Sequence, residues 1–594
     1  MCGIFGYVGE RTDAAQLVLH GLKKLEYRGY DSWGIAVRDS TRMHAALDRR
    51  VGKIGSATTA LADSTVGLGH TRWATHGAVN DDNAHPQIDC SRRLALVHNG
   101  MLTNENELRT ALARTGHRMR SHTDSELIAH LIEDLLAHAP AGDDCLVHAT
   151  MAAFRKLKGL NAIAVLDTQT GQIAAAKSGT PLVLGAASFG HFIASDHSAL
   201  LEHTREIAFV RDGQAVLIER DRMRLFEIES GAELVPELTT VEWDAVSTER
   251  GDHPDYMTKE ILEQPKMLRV IAEQSERGVQ ELAQRMAAAD DVLIIGCGSA
   301  AHAGLAAQHQ FARIAGKRVS TASAFELDQH LPFIGPRTLV LALSQSGETI
   351  DVLDAVRAAR AKGAHIAALT NVVNSSLWRS ADLALSLHAG PERCVLATKS
   401  FTAKLALSWL TAHALKGQLE AARTALGATA LELTDLLHGP RRAAIRTIAS
   451  AIQGREHLYV IGRGASHALA LEVALKIKEG SYIHAEGFAG GELKHGVIAL
   501  IEPYTPCIVL APSDETRDDV IANALQVKAR GAVLIGIAEH YSPAFDHHIA
   551  ITESGCVTPI VQAVVAQLLG YDLAKLRGQD PDMPRNLAKS VTVK

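Results

Sequence analysis

At 594 residues the chain is too long for a single hydrophobic core, so roughly two to four domains are expected. A composition of 47% hydrophobic and 21% charged residues is that of a globular protein and excludes a disordered or low-complexity one. The net charge of −7 argues against a nucleic-acid partner and leaves no basic tail for a membrane surface.

The chain opens Met1-Cys2-Gly3-Ile4, with neither the positive segment nor the apolar core of a signal peptide. No apolar run reaches about 18 residues, so no membrane span is expected. Seven scattered cysteines without paired spacing read as reduced thiols, and the expected location is the cytoplasm. With Met1 removed, Cys2 carries both a thiol and a free α-amine. That amine titrates near about 8, so at neutral pH it can serve as the base for the thiol beside it. The plain alternative is a small residue near a start codon.

Residues 1 to about 240 hold short strand-like runs, such as Gly34 to Val37 and Leu94 to Val97, with a helix predicted over Asp124 to Leu136. The mixture reads as α+β around a mainly antiparallel sheet. Polar clusters separate the runs: Tyr27 to Ser32, His70 to Gly77, His98-Asn99-Gly100 and Thr123-Asp124. An amide-cleaving thiol needs an oxyanion hole, which Asn99 and the Gly100 N–H can supply. A zwitterionic substrate needs a cation and an anion, and Arg72 and Asp124 suit those roles. Each cluster also has an ordinary reading: Asn-Gly as a hairpin turn, Asp124 as a helix cap, the histidines as structural. No HExxH or Cys/His ligand spacing appears, so no metal is expected.

The stretch from Glu237 to Pro254 is polar and aperiodic, as a linker is. Beyond it, apolar strands alternate with alanine-rich helices, the pattern of parallel α/β layers. An internal repeat is present. Val292 to Ser299 is echoed by Leu458 to Ala465, and Ser346-Gly347-Glu348-Thr349 by Ser513-Asp514-Glu515-Thr516, at nearly the same offset. The seam falls near residue 440.

Ser344-Gln345-Ser346-Gly347-Glu348-Thr349 follows the strand Leu339 to Leu343 and precedes a helix from Ile350. Hydroxyls, a glycine and a helix N-terminus make an anion cradle, or else a simple capping box. Gly296-Cys297-Gly298-Ser299-Ala300-Ala301 approximates a dinucleotide fingerprint, but the next strand region, Arg318 to Ser323, lacks a clear terminal acid for a ribose. Lys476 and Glu479 share a helix face at i,i+3. They read either as a surface ion pair or as a carboxylate moving a proton beside a lysine.

Together the N-terminal clusters resemble a class II glutamine amidotransferase domain of the N-terminal-nucleophile type. The duplicated half resembles a tandem pair of sugar-isomerase (SIS) domains, and the domain order resembles the isomerising sugar-phosphate amidotransferases. The resemblance implies a four-layer αββα Ntn-hydrolase domain at 2–240, a linker at 241–256, SIS domains at 257–440 and 441–584, and a tail at 585–594 that contributes to the isomerase site. It implies that Cys2 attacks glutamine, with Asn99 and Gly100 as the oxyanion hole. Arg28, Arg72, Thr75, His76, Gly100 and Asp124 would hold the glutamine. Ser299, Ser344, Gln345, Ser346, Thr349, Val395 and Ala588 would hold a sugar phosphate.

By the same resemblance His495 opens the sugar ring, Lys589 forms an imine, Glu479 shuttles a proton between C1 and C2, and Lys476 supports it. Trp73 would gate an ammonia channel. The implied substrates are glutamine and fructose 6-phosphate, with no cofactor, no nucleic acid, no membrane and a homodimer through the SIS domains. Ala300 and Ala397 stand where the family has hydroxyl residues. Each lost hydrogen bond should cost about 0.5–1.5 kcal/mol, roughly three- to tenfold in affinity. That leaves open a paralogue that uses another ketose phosphate. A non-catalytic sugar-phosphate-binding regulator and a free-standing glutaminase are the remaining alternatives.

Overall fold

The computed structural model describes residues 2–39, 41–74, 76–139, 142–240, 249–552 and 557–591. The chain divides into two compact units, residues 1–249 with 588–594, and residues 250–587.

The first unit begins with β1 (Gly3–Gly9), α1 (Ala14–Leu25), β2 (Ser32–Asp39), β3 (His44–Val51), β4 (Val66–Arg72), β5 (Gln87–Ile88) and β6 (Leu94–Gly100). Three helices follow: α2 (Glu105–Arg114), α3 (Ser125–Ala137) and α4 (Cys145–Phe154). Strands resume with β7 (Asn161–Asp167), β8 (Gln172–Ser178), β9 (Leu182–Ala187), β10 (Gly190–Ala194), β11 (Glu206–Val210) and β12 (Gln214–Ile218). The last are β13 (Met223–Glu227), β14 (Glu233–Leu234) and β15 (Thr239–Thr240). They form two sheets, ordered β15-β11-β9-β10-β1-β4-β2-β3 and β14-β13-β12-β8-β7-β6-β5, with antiparallel pairing.

The central strands of each sheet bury both faces, which is why they read as nearly continuous apolar runs. Strand alternation sorts the side chains. In β1, Ile4 and Val8 enter the core between the sheets, while Phe5 and Tyr7 meet α1. In β6, Ala95 and Val97 face the other sheet, while Leu94 and Leu96 pack under α2, α3 and α4. The result is the four-layer αββα arrangement. The same alternation carries Asn99 toward the first sheet and His98 toward α3, where its Nδ1 lies 2.9 Å from Ser125 Oγ.

The second unit starts with α5 (Tyr256–Gln274) and α6 (Glu276–Ala288), then β16 (Asp291–Gly296), α7 (Ser299–Gln310), β17 (Ser320–Ser323), β18 (Thr338–Ser344) and α8 (Ile350–Ala361). It continues through β19 (His365–Thr370), α9 (Ser376–Ser380), β20 (Leu383–Ser386), α10 (Lys399–Ala414), α11 (Leu419–His438) and α12 (Pro440–Ile452). The second half holds β21 (His457–Gly462), α13 (Ala465–Ser481), β22 (His484–Ala489), β23 (Pro506–Leu510), α14 (Arg517–Lys528), β24 (Val533–Ala538), β25 (His547–Ala550) and α15 (Thr558–Leu576).

Two parallel five-stranded sheets result, β17-β16-β18-β19-β20 and β22-β21-β23-β24-β25. Both have the same order, and in each the direction of strand addition reverses between the second and third strands, which stay parallel. That switch point is where open α/β sheets place ligands. Backbone geometry repeats as well: Gly298 (φ 55°, ψ −129°) and Gly464 (φ 56°, ψ −130°) take the same left-handed turn before α7 and α13. Only glycine enters that region without strain.

Of the expected linker, residues 241–248 lie outside the described residues. Thr239 pairs with Ile207, and Tyr256 already belongs to α5, whose first turn is capped by the Asp255 side chain. Among the described helices, none is long and apolar enough to cross a membrane.

Candidate active sites

In the first unit the thiol site is built where β1, β4 and β6 end together. Cys2 Sγ accepts a hydrogen bond from the Trp73 N–H at 3.2 Å. The Cys2 carbonyl accepts from Asn99 Nδ2 at 3.0 Å and from Arg28 Nε at 3.3 Å. Arg28 is buried and also meets Asp196 at 3.2 Å, a carboxylate that Tyr27 binds at 2.7 Å. Gly3 has no side chain because one would strike Thr71 Oγ1, which accepts the Gly3 N–H at 3.0 Å.

Arg72 is buried, and its guanidinium donates to the carbonyls of His76, Gly77 and Ala78. Five N–H donors leave it capacity for a substrate carboxylate as well. Burial depresses this guanidinium, and the acids acting against that are Cys2, Asp31 and Asp124, which places all four in one neighbourhood. Asp124 sits at the N-cap of α3 but makes no capping bond; its Oδ2 accepts the Leu102 N–H instead. The helix-cap alternative therefore fails. His76 lies 3.9 Å from Glu105, on the rim. Thr75 lies outside the described residues. Trp73 is half-buried and packs edge-on against Tyr30, with ring centroids 6.0 Å apart.

His70 opens the His70 to Gly77 cluster, and its sequence context assigns it no role. Its Nε2 lies 3.0 Å from Asn99 Oδ1 and 3.1 Å from the His98 carbonyl. Because both partners are acceptors, Nε2 carries the proton, and this fixes which end of the Asn99 amide faces Cys2. Burial pushes the His70 imidazole down to about 3, so it stays neutral. Its neighbour His85, tilted against it with ring centroids 4.4 Å apart, is also held well below its usual range by burial. Both groups take up protons in the unfolded chain below about pH 6.5 while the folded chain refuses them, His70 down to about pH 3. Stability must therefore fall as pH drops below 6.5, by up to about 1.4 kcal/mol per pH unit for each histidine. Denaturant unfolding of the first unit at pH 7 and pH 5 should show this loss, and His70→Gln should make the slope shallower.

In the second unit, β18 ends at the anticipated phosphate loop. Ser344 Oγ accepts the Gly347 N–H at 2.9 Å, and Ser346 Oγ accepts the Glu348 N–H at 3.1 Å. Gly347 has φ 68°, and a Cβ there would overlap Ser375. Thr349 stands at the N-cap of α8 without a capping bond, so the first-turn N–H groups of α8 are not occupied by it. The Glu348 carboxylate is turned aside to accept the Ser376 N–H. Thr349 thus forms no capping box, and free N–H groups at a helix start are what an anion cradle requires. In the second copy the matching loop carries Asp514 and Glu515, which engage Arg313.

Ser299 does not join this cradle by hydrogen bond. Its hydroxyl donates to Glu472 Oε1 at 2.8 Å, and His302 Nδ1 lies 2.8 Å from Glu472 Oε2. A carboxylate at the start of α7 repels a pyrophosphate, which removes the dinucleotide alternative. Glu472 escaped sequence reading. It lies on α13 with Lys476, 3.5 Å away, and Lys476 in turn meets Glu479 at 2.5 Å. Lys476 is 1% exposed, so the surface-pair alternative is wrong: this is a buried carboxylate–ammonium–carboxylate row. Burial acts to lower the Lys476 ammonium, but Glu479 and Glu472 overcome it and hold it protonated above its usual range. Burial likewise acts to raise Glu472, and Lys476, His302 and Ser299 hold it below its usual range.

Val395 is buried in a loop that donates its N–H to the Asp582 carbonyl at 3.0 Å. Glu260 fixes the same loop through the Arg393 and Cys394 N–H groups, and Glu392 through those of Thr398 and Ser400. Ala397 and Ala300 are both half-buried. His495 stands exposed at the end of a short 3-10 turn, with no polar partner among the described residues. Ala588 and Lys589 are half-buried in the segment that packs with the first unit.

Residues 70–202 match the glutamine amidotransferase domain family, and residues 285–414 and 451–577 each match the SIS domain. Over 609 residues, covering 100% of both chains, the sequence is 39% identical to the glutamine–fructose-6-phosphate aminotransferase (isomerizing) of Thermococcus kodakarensis. It is 40% identical over 629 residues to the protein so named in Aeropyrum pernix, again covering 100% of both. Among solved structures, the C-terminal domain of glucosamine-fructose-6-phosphate aminotransferase from Francisella tularensis aligns at 30% identity and TM-score 0.49, covering 56% of this chain and 99% of that one.

The chain is thus an enzyme of the amidotransferase class, a glutamine amidotransferase domain followed by two SIS domains. It belongs to the glutamine–fructose-6-phosphate aminotransferase (isomerizing) family.

Proposed function

We propose that the chain takes ammonia from glutamine at Cys2 and places it on fructose 6-phosphate, giving glutamate and glucosamine 6-phosphate. The observation that carries this reading is the pairing, within one chain, of Cys2, whose carbonyl Asn99 holds, and a serine- and glycine-lined loop before a helix on a parallel sheet. Full-length relatives bearing that name support it.

Once Met1 is removed, the Cys2 α-amine takes the thiol proton and the sulfur attacks the side-chain amide carbon of glutamine. The amide nitrogen leaves as ammonia with that proton, a γ-glutamyl thioester remains, and water releases glutamate. Asn99 and the Gly100 N–H steady the oxyanion. Arg72 pairs with the substrate carboxylate, and Asp124 with its ammonium. Arg28, Thr75 and His76 support that grip, and Trp73, adjacent to the thiol, gates the exit of ammonia.

On the sugar, Ser344, Gln345, Ser346 and Thr349 receive the phosphate, with Ser299, Val395 and Ala588 completing the pocket. His495 assists ring opening. Lys589 condenses with the C2 ketone and ammonia displaces it. Glu479 then moves a proton from C1 to C2, with the charge of Lys476 beside it. A homodimer through the SIS domains and a cytoplasmic location belong to the same reading.

The test is glutamate and amino-sugar release with glutamine alone and with added fructose 6-phosphate. Stimulated glutamate release with equal amino sugar supports the reading. Glutamate without amino sugar overturns the choice of sugar and points to Ala300 and Ala397. Lys589→Ala should remove amino-sugar formation, by at least about 10²-fold, while glutamine hydrolysis continues. Persistent synthesis would refute the imine role.

A further inference from the structure

The cluster with the strongest unassigned chemistry lies in the first unit, outside the thiol site. Cys90, in the turn between β5 and β6, meets His117, in the loop after α2, and His130 and Glu133 on one face of α3. Cys90 Sγ lies 3.6 Å from His117 Nδ1 and 3.6 Å from His130 Nδ1. Glu133 Oε2 lies 3.3 Å from each of the same two nitrogens. All four ligand atoms fall within 4.8 Å of one another.

The two S–N and two N–O separations match edges of a metal tetrahedron. Zinc–sulfur bonds of about 2.3 Å and zinc–nitrogen or –oxygen bonds of about 2.0–2.1 Å place S and N about 3.5 Å apart and N and O about 3.3 Å apart. The outer contact of His117 fits as well, its Nε2 lying 2.8 Å from Asp134 Oδ1. A carboxylate on the far nitrogen keeps the proton there and turns the Nδ1 lone pair of His117 toward the centre, as in carboxylate–histidine–zinc triads. Two ring nitrogens, a thiol and a carboxylate oxygen thus converge on one point.

We propose that Cys90, His117, His130 and Glu133 bind one structural zinc ion. Four protein ligands close the site, which suits a structural rather than a catalytic metal. The ion ties α3 to the turn that leads into β6. These two elements deliver Asp124 and the Asn99-Gly100 pair, so the metal braces the glutamine site from behind. No metal was expected from sequence because the ligands come from three segments, separated by 27 and 13 residues, which match no linear ligand spacing.

The test uses the full chain, purified without added chelator, and metal analysis by mass spectrometry. The expected content is about one zinc per chain, falling at least about tenfold in Cys90→Ser and in His117→Gln. Stripped wild type given cobalt(II) should develop a thiolate-to-cobalt charge-transfer band, absent from Cys90→Ser. Circular dichroism of each variant separates loss of metal from loss of fold. Chelation should lower the unfolding temperature of wild type and leave that of Cys90→Ser unmoved. Zinc below one tenth per chain together with no cobalt band in wild type overturns the proposal, as does equal zinc content in all three proteins.

Discussion

Cys2→Ala should reduce glutamine-dependent amino-sugar synthesis by at least about 10³-fold, because no other group can form the thioester. Synthesis from added ammonium should persist, since the second unit keeps its own chemistry. The substitution removes a thiol whose hydrogen bonds are one from the Trp73 N–H and a long one of 3.5 Å to the Trp73 carbonyl, and it leaves the Cys2 carbonyl to Asn99 and Arg28. Folding should therefore be little changed, and the loss can be read as chemistry. Glutamate release by purified Cys2→Ala is the deciding measurement. Activity within tenfold of wild type would refute the nucleophile, and loss of the ammonium-dependent reaction would show that the variant damages more than the thiol.

Residues whose signal is local were legible in the sequence. Gly298 and Gly464 announced the same turn twice, because a left-handed backbone before a helix demands glycine wherever it occurs. The strands β6, β16 and β18 stood out as apolar runs bounded by polar turns, and each proved buried on both faces. Asp124 was visible as a residue, but its cap alternative fell only when the Leu102 N–H was found on its carboxylate.

What stayed hidden were partnerships across the fold. His70 orients Asn99 from a strand 29 positions away, and nothing in its own neighbourhood marks it apart from other histidines. Glu472 reads as one carboxylate in an alanine- and leucine-rich helix, yet it receives Ser299 from 173 residues away. The i,i+3 spacing of Lys476 and Glu479 was correct, but spacing carries no information about burial. The sequence reading therefore left a surface pair open where the fold places a buried charge row.

That row yields the largest stability effect expected in the second unit. In Lys476→Met the buried carboxylate of Glu472 loses its ammonium and keeps only Ser299 and His302. Removing one partner of a buried ion pair costs about 3–5 kcal/mol, because the remaining charge is left without compensation. Lys476→Met should lower the urea stability of the second unit by that amount. It should also reduce amino-sugar synthesis by about 10²-fold or more, since it strips the charge beside the proton-carrying Glu479. Glutamine hydrolysis should survive. The mechanism makes a further demand: if uncompensated charge is the cause, adding Glu472→Gln should recover stability. The double variant Glu472→Gln/Lys476→Met should then be more stable than Lys476→Met alone, the reverse of what two independent losses of packing would give. A double variant no more stable than the single one would show that Lys476 contributes through its buried stem and not through its charge.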